Sequence, residues 1–164
     1  MIAEMEMLNE LMETTSPIEK RAVTNHRALN EAFDYKRPSS FSRGMRIDLN
    51  GLVILLISGT ASINENGHIV HIGDFRAQMQ RTLSNITLLL ESEGATWHDI
   101  VRTTCYLRDI ERDYAAFNEE RTAFYKQQQL DPLPASTGIQ AILCFPELLI
   151  EIEAIAMFRV DKKK

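Results

Sequence analysis

From Met45 onward, short apolar runs of period two alternate with longer stretches of period 3.6, which predicts strands and helices in turn. Residues 45–49 and 52–58 read as strands joined at Asn50-Gly51, a dipeptide that tolerates the positive φ of a two-residue hairpin. The second strand is apolar on both pleat faces, with Leu52, Ile54 and Leu56 on one and Val53, Leu55 and Ile57 on the other. Asn66-Gly67 marks a further turn. Phe75, Met79, Leu83, Ile86 and Leu90 fall on one stripe and predict a helix over 73–93, closed by Gly94. A β-branched strand follows over 100–107. A second helix is predicted over 109–129, with Tyr114, Phe117, Phe124 and Tyr125 on its inner side. After Pro132 and Pro134, strands over 135–143 and 148–158 finish the chain, linked around Pro146.

This order predicts a sheet with two helices packed on one face. Two helices cannot cover both faces of such a sheet, so its uncovered apolar row must meet another subunit. The start of the chain reads differently. Residues 1–13 are helix-forming, and Thr14-Thr15-Ser16-Pro17 breaks them. Ser16 then reads as an N-cap, with Pro17 at the first helical position and Glu19 completing a capping box. Ile18, Ala22, Leu29 and Phe33 share the helical stripe that would follow. The expected division is a helical extension over 1–38, a main domain over 39–160 and a basic tail over 161–164.

Composition narrows the classes without changing the fold. A chain of 164 residues, 45% hydrophobic and 25% charged, suits one folded domain and not a disordered one. The formal net charge is −5, with no basic stripe apart from Lys162, Lys163 and Lys164, which argues against a nucleic-acid partner. Met1 to Asn9 carries Glu4 and Glu6 and does not read as a signal peptide. The longest apolar run, Leu52 to Ile57, falls far short of the ~20 residues a membrane span requires. A cytoplasmic protein with no membrane partner is expected. Cys105 and Cys144 read as buried reduced thiols. His68 and His71 are spaced to point to opposite faces, and no glycine-rich phosphate loop occurs, so neither metal nor cofactor is expected.

Chemistry concentrates at strand ends. In the last strand Glu151 and Glu153 share a partly apolar face with Leu149, Ile155 and Met157, roughly 7 Å apart. Such a pair can act as general base and water-positioner; equally, it can be charge on an edge strand or an interface ion pair. Ser136-Thr137-Gly138 either lines a pocket with hydroxyls and amides or is a strand entry with a bulge. Ser58-Gly59-Thr60 has the same two readings. Arg43, entering the first strand, is a candidate clamp for a substrate carboxylate or an exposed surface arginine.

The residues that carry a family resemblance are Ile57-Ser58-Gly59-Thr60, Gly73-Asp74 with Ala77-Gln78, Thr82-Leu83-Ser84-Asn85-Ile86 and Asp99 to Thr104. With them go Asp113 and Phe117-Asn118, Leu133-Pro134-Ala135-Ser136, and Ile150 to Ala156. In order and spacing these resemble RidA/YjgF (endoribonuclease L-PSP) proteins from about Ser40 to Phe158. The resemblance implies a chorismate-mutase-like α+β fold, with a mixed sheet and two helices packed on one face, and a homotrimer with ligand clefts between subunits. It implies hydrolysis of enamines or imines, such as 2-aminoacrylate, to a 2-keto acid and ammonia. It matches Glu151 to the glutamate that positions water or moves a proton. Taken with the residue reading, the expected site is Glu151 for catalysis and Phe41, Arg43, Ser58, Gly59, Asn118, Ser136, Thr137 and Gly138 for substrate binding.

The sequence departs from that pattern at the carboxylate clamp. The family's proline-alanine-arginine reads Pro134-Ala135-Ser136, its cysteine is Gly138, and its tyrosine before the first strand is Phe41. Losing a bidentate guanidinium removes an interaction worth roughly 1.5–3 kcal/mol, which counts against ordinary 2-aminoacrylate deamination. Phe41-Ser42-Arg43-Gly44 and Ile57 to Ile63 also resemble the C-terminal half of chorismatases, which implies a cyclic or aromatic carboxylate held by Arg43. Three readings therefore stand: a divergent deaminase or related hydrolase, a non-catalytic trimer that binds a small carboxylate, and a chorismatase-like hydrolase.

Overall fold

In the computed structural model, which describes residues 18–26, 29–36 and 38–160, Asn50 and Gly51 take φ of 56° and 87°. This turn folds strand β2 (Gly44–Leu49) back onto β3 (Leu52–Ala61) as an antiparallel hairpin. Helix α1 (Phe75–Ser92) follows, its N-terminus capped by the Asp74 side chain accepting from the Ala77 amide. Strand β4 (Ile100–Leu107) and helix α2 (Ile110–Gln127) come next, α2 capped in the same way by Asp109. Strands β5 (Ala135–Gln140) and β6 (Ile150–Arg159) complete the main body.

One further strand, β1 (Glu19–Ala22), adds to the hairpin, and the sheet runs β1-β2-β3-β6-β4-β5. It is mixed: β5 lies parallel to β4, and the other neighbours are antiparallel. Both helices lie on one face. There Val53, Leu55 and Ile57 of β3 join Ile150, Ile152, Ala154 and Ala156 of β6 under the α1 stripe, all of them buried. The five stripe residues read from the sequence are the ones this face buries. Among the described residues no helix lies over the opposite face, and Leu56 and Met157 stand 40% and 41% exposed there. Every residue of β5 is exposed.

The helical stripe expected over residues 18–33 does not form. Glu19–Ala22 pairs with β2 from Glu19↔Asp48 to Ala22↔Met45. The free edge of β2 offers a ladder of N–H and C=O groups that outweighs a weak helix preference. Arg21 then anchors the strand. Its guanidinium makes a fork with the buried Glu93 carboxylate at the end of α1 (2.9 and 2.6 Å), and Arg46 of β2 adds a contact at 3.2 Å. Leu29 is buried, but Ile18 and Phe33 are 68% and 57% exposed, so they share no inner face. Ser16, Pro17 and the basic tail lie outside the described residues.

Smaller corrections follow the same logic. Tyr114 is exposed and leaves the inner side of α2 to Phe117 and Tyr125. Strand β5 ends at Gln140, so Cys144 falls in an exposed loop, whereas Cys105 is buried in β4 as expected; both are free thiols.

Candidate functional site

Glu151 is placed by a break in pleating. The β3 ladder with β6 shifts register between Ile57 and Thr60, which brings Gly59 under the Glu151 side chain. A Cβ on Gly59 would lie 1.9 Å from Glu151 Oε1, so only glycine leaves the carboxylate room in this position. Ser58 is fixed beside it: its hydroxyl donates to the Ser42 carbonyl at 2.7 Å and its amide to the Arg43 carbonyl at 3.1 Å.

The two carboxylates of β6 do share the helix-free face. Across β4, Glu151 pairs with Tyr106 and Glu153 with Thr104. Burial pushes the Glu151 carboxyl above the usual range, and the charge of Glu153 pushes it further. Tyr106 is raised too, by desolvation first and then by the nearby charge of Glu153. A half-buried carboxyl biased toward its acid form by burial, with a second carboxylate and a phenol beside it, has the equipment for proton transfer.

Ser136 belongs to a different cluster on the other face of the sheet. It pairs with Thr103, which in turn sits opposite the helix-covered Ala154. Thr103 Oγ1 donates to Ser136 Oγ at 3.0 Å. Arg121 of α2 donates to the same oxygen at 3.1 Å and to Asn118 Oδ1 at 2.6 Å, with its guanidinium 4.5 Å from the centre of the Phe117 ring. Beside this cluster opens a cavity of about 500 Å³ lined by Arg121, Tyr125, Lys126, Leu130, Leu133 and Pro134 among others. Burial pushes the Cys105 thiol up, more than Thr103, Arg121 and Ser136 pull it down, so it is not a thiolate nucleophile.

The remaining expected residues divide. Thr137 turns to the Glu153 face, where Arg102 donates to its hydroxyl at 3.0 Å. Gly138 faces open space on the β5 edge. Arg43 is neither an exposed arginine nor a free clamp. It is 4% exposed, donates twice to the Asn30 carbonyl at 3.0 and 2.8 Å, and lies over the Tyr35 and Phe41 rings at 4.9 and 5.2 Å. Its charge is spent on holding the segment before β2, and Phe41 is its partly exposed partner.

One chain thus brings Ser58, Gly59 and Glu151 together on one face and Asn118 with Ser136 on the other. Sequence reasoning missed Tyr106 and Arg121. The spacing of Asn118 and Arg121, three apart on a helix, was the available sign that they share a face. Among the described residues no group of His, Cys, Asp and Glu could hold a metal ion, and no helix is long and apolar enough to cross a membrane.

Comparison with known proteins gives this geometry a context. Residues 35–158 match the family model described as endoribonuclease L-PSP. A RutC family protein of Haemophilus influenzae is 34% identical over 112 residues, covering 68% of this chain and 82% of that one. The 3-aminoacrylate deaminase RutC of Acinetobacter baylyi is 32% identical over 103 residues, covering 63% of this chain and 78% of its own. Among solved structures, the YjgF gene product of E. coli superposes with a TM-score of 0.68 at 27% identity, covering 85% of this chain and 99% of that one.

Proposed function

The chain belongs to the RidA/YjgF (endoribonuclease L-PSP) family, and on that premise we propose that it hydrolyses a small enamine or imine carboxylate at a site completed by a second copy of itself. In the proposed reaction the protonated Glu151 carboxyl gives its proton to the enamine carbon, leaving an iminium ion. Glu151, now a carboxylate, accepts a proton from the water that adds to the iminium carbon, which gives a neutral carbinolamine. Collapse of the adduct releases ammonia and leaves the 2-oxo acid.

The observation that carries the reading is Glu151 itself: a half-buried carboxyl pressed on Gly59, held toward its acid form by burial and by Glu153. Kinship with a relative named as an aminoacrylate deaminase supports the substrate class. Support for a homotrimer with intersubunit clefts comes from the helix-free apolar face and the wholly exposed β5. It comes also from the separation of the Glu151 and Ser136 clusters on opposite faces of the sheet, which a second copy would bring into one cleft. The endoribonuclease description is not part of the proposal, since a formal net charge of −5 disfavours binding to a phosphate backbone.

The test is ammonia release from 2-aminoacrylate and from 2-imino acids generated in the assay. The wild type should exceed buffer alone and the Glu151→Gln variant should not. A wild type that binds 2-oxo acids but gives no excess over buffer would instead identify a non-catalytic carboxylate-binding trimer.

A further inference from the structure

We infer that Arg121 is the residue that holds the ligand's carboxylate, in a cavity that also takes an apolar substituent of several carbons. The assignment rests on the proposed function for its ligand class, and on geometry for its residue. Arg121 reaches from α2 to the Ser136 hydroxyl at 3.1 Å, so a guanidinium lies where the resemblance leaves only a serine.

Three observations support it. First, the guanidinium is pre-set. Asn118 Oδ1 and Ser136 Oγ accept from its two terminal nitrogens, at 2.6 and 3.1 Å, and the Phe117 ring lies beneath it. Ser136 Oγ also accepts from the buried Thr103, so the serine positions Arg121 and is not itself the clamp. Second, the charge is uncommitted. Arg21, Arg46, Arg76, Arg81 and Arg112 pair with carboxylates, whereas among the described residues no carboxylate pairs with Arg121. An arginine held by neutral acceptors keeps its preference for an incoming anion. Third, Arg121 opens onto the cavity of about 500 Å³, whose other lining includes Tyr125, Leu130, Leu133 and Pro134, with Lys126 as a second cation. That volume and mixed lining suit a small organic anion with an apolar tail.

The probe is 4-methyl-2-oxopentanoate, titrated calorimetrically into the assembled full-length protein, with the corresponding neutral amide as control. Arg121→Gln should weaken the acid by about tenfold to a hundredfold and leave the amide unchanged. Adding Ser136→Arg to Arg121→Gln should restore most of the lost affinity, because it returns a guanidinium to the same spot from β5. Arg121→Met should repeat the loss, so that one poorly folded variant does not decide the matter. Equal affinity of the acid for wild type and both Arg121 variants, or no binding to wild type, overturns the assignment. Arg121-dependent binding without ammonia release would retain the clamp and remove the hydrolase. Ammonia release with KM and Kd indifferent to Arg121 would do the reverse.

Discussion

Glu151 is held in the structure by opposing demands, and these give its substitutions a definite sign. Its folded carboxyl keeps a proton to higher pH than the unfolded chain does, because burial and then Glu153 disfavour its charge. Stability from this group is therefore full below the unfolded value and is lost as pH rises through the raised one. Glu151→Gln mimics the protonated form, so its melting temperature should exceed that of wild type at pH 8, with the gap shrinking by pH 4. A gap that widens toward acid would contradict the assigned shift. Gly59→Ala probes the same group from beneath. Gly59 is not among the positive-φ residues, so alanine fits the backbone, but its Cβ would meet Glu151 Oε1 at 1.9 Å. The carboxylate end is mobile enough to move aside. The variant should melt within about 1 kcal/mol of wild type, as substitutions outside well-packed cores do, yet lose the activity that depends on Glu151.

At the scale of elements, the best-read parts were those whose reasons are local. Helix α1 follows from five apolar residues on one stripe, and the β2-β3 hairpin from Asn50-Gly51, because each pattern contains its own geometry. Strand β1 was misread because its reasons are distant: its ladder partner is β2 and its anchor is Glu93 on α1. The same distance hid Arg121, whose partner Ser136 lies on another element, and Arg43, whose burial depends on Asn30, Tyr35 and Phe41. Glu151 could be read as a candidate from strand alternation alone, but not the register shift that sets Gly59 beneath it. The β1 anchor makes a stability prediction. Glu93→Ala leaves Arg21 without a carboxylate and Arg46, whose side chain is 13% exposed, with only the longer 3.6 Å contact to Asp48. It should cost about 2–4 kcal/mol in chemical denaturation, whereas Arg21→Ala, at an exposed side chain, should cost under about 1 kcal/mol. Equal losses would show that the clamp is not centred on Glu93.

For the whole molecule, the decisive fact is the division of chemistry between the two faces of one sheet. Glu151 sits on the face that no helix covers among the described residues, and Arg121 with Ser136 sits on the helix side near the exposed β5 edge. A cleft that uses both must borrow one of them from a neighbouring copy. The most direct test is to mix Glu151→Gln and Arg121→Gln subunits in equal amounts, by co-expression or by unfolding and reassembly together. At substrate levels below KM, Glu151→Gln alone should be inactive and Arg121→Gln alone should retain about a tenth of wild-type activity or less. Random assembly should place an intact Glu151 opposite an intact Arg121 at about a quarter of the clefts, restoring about that fraction of wild-type ammonia release. Mixed assemblies no more active than the two variants measured separately would contradict the intersubunit site.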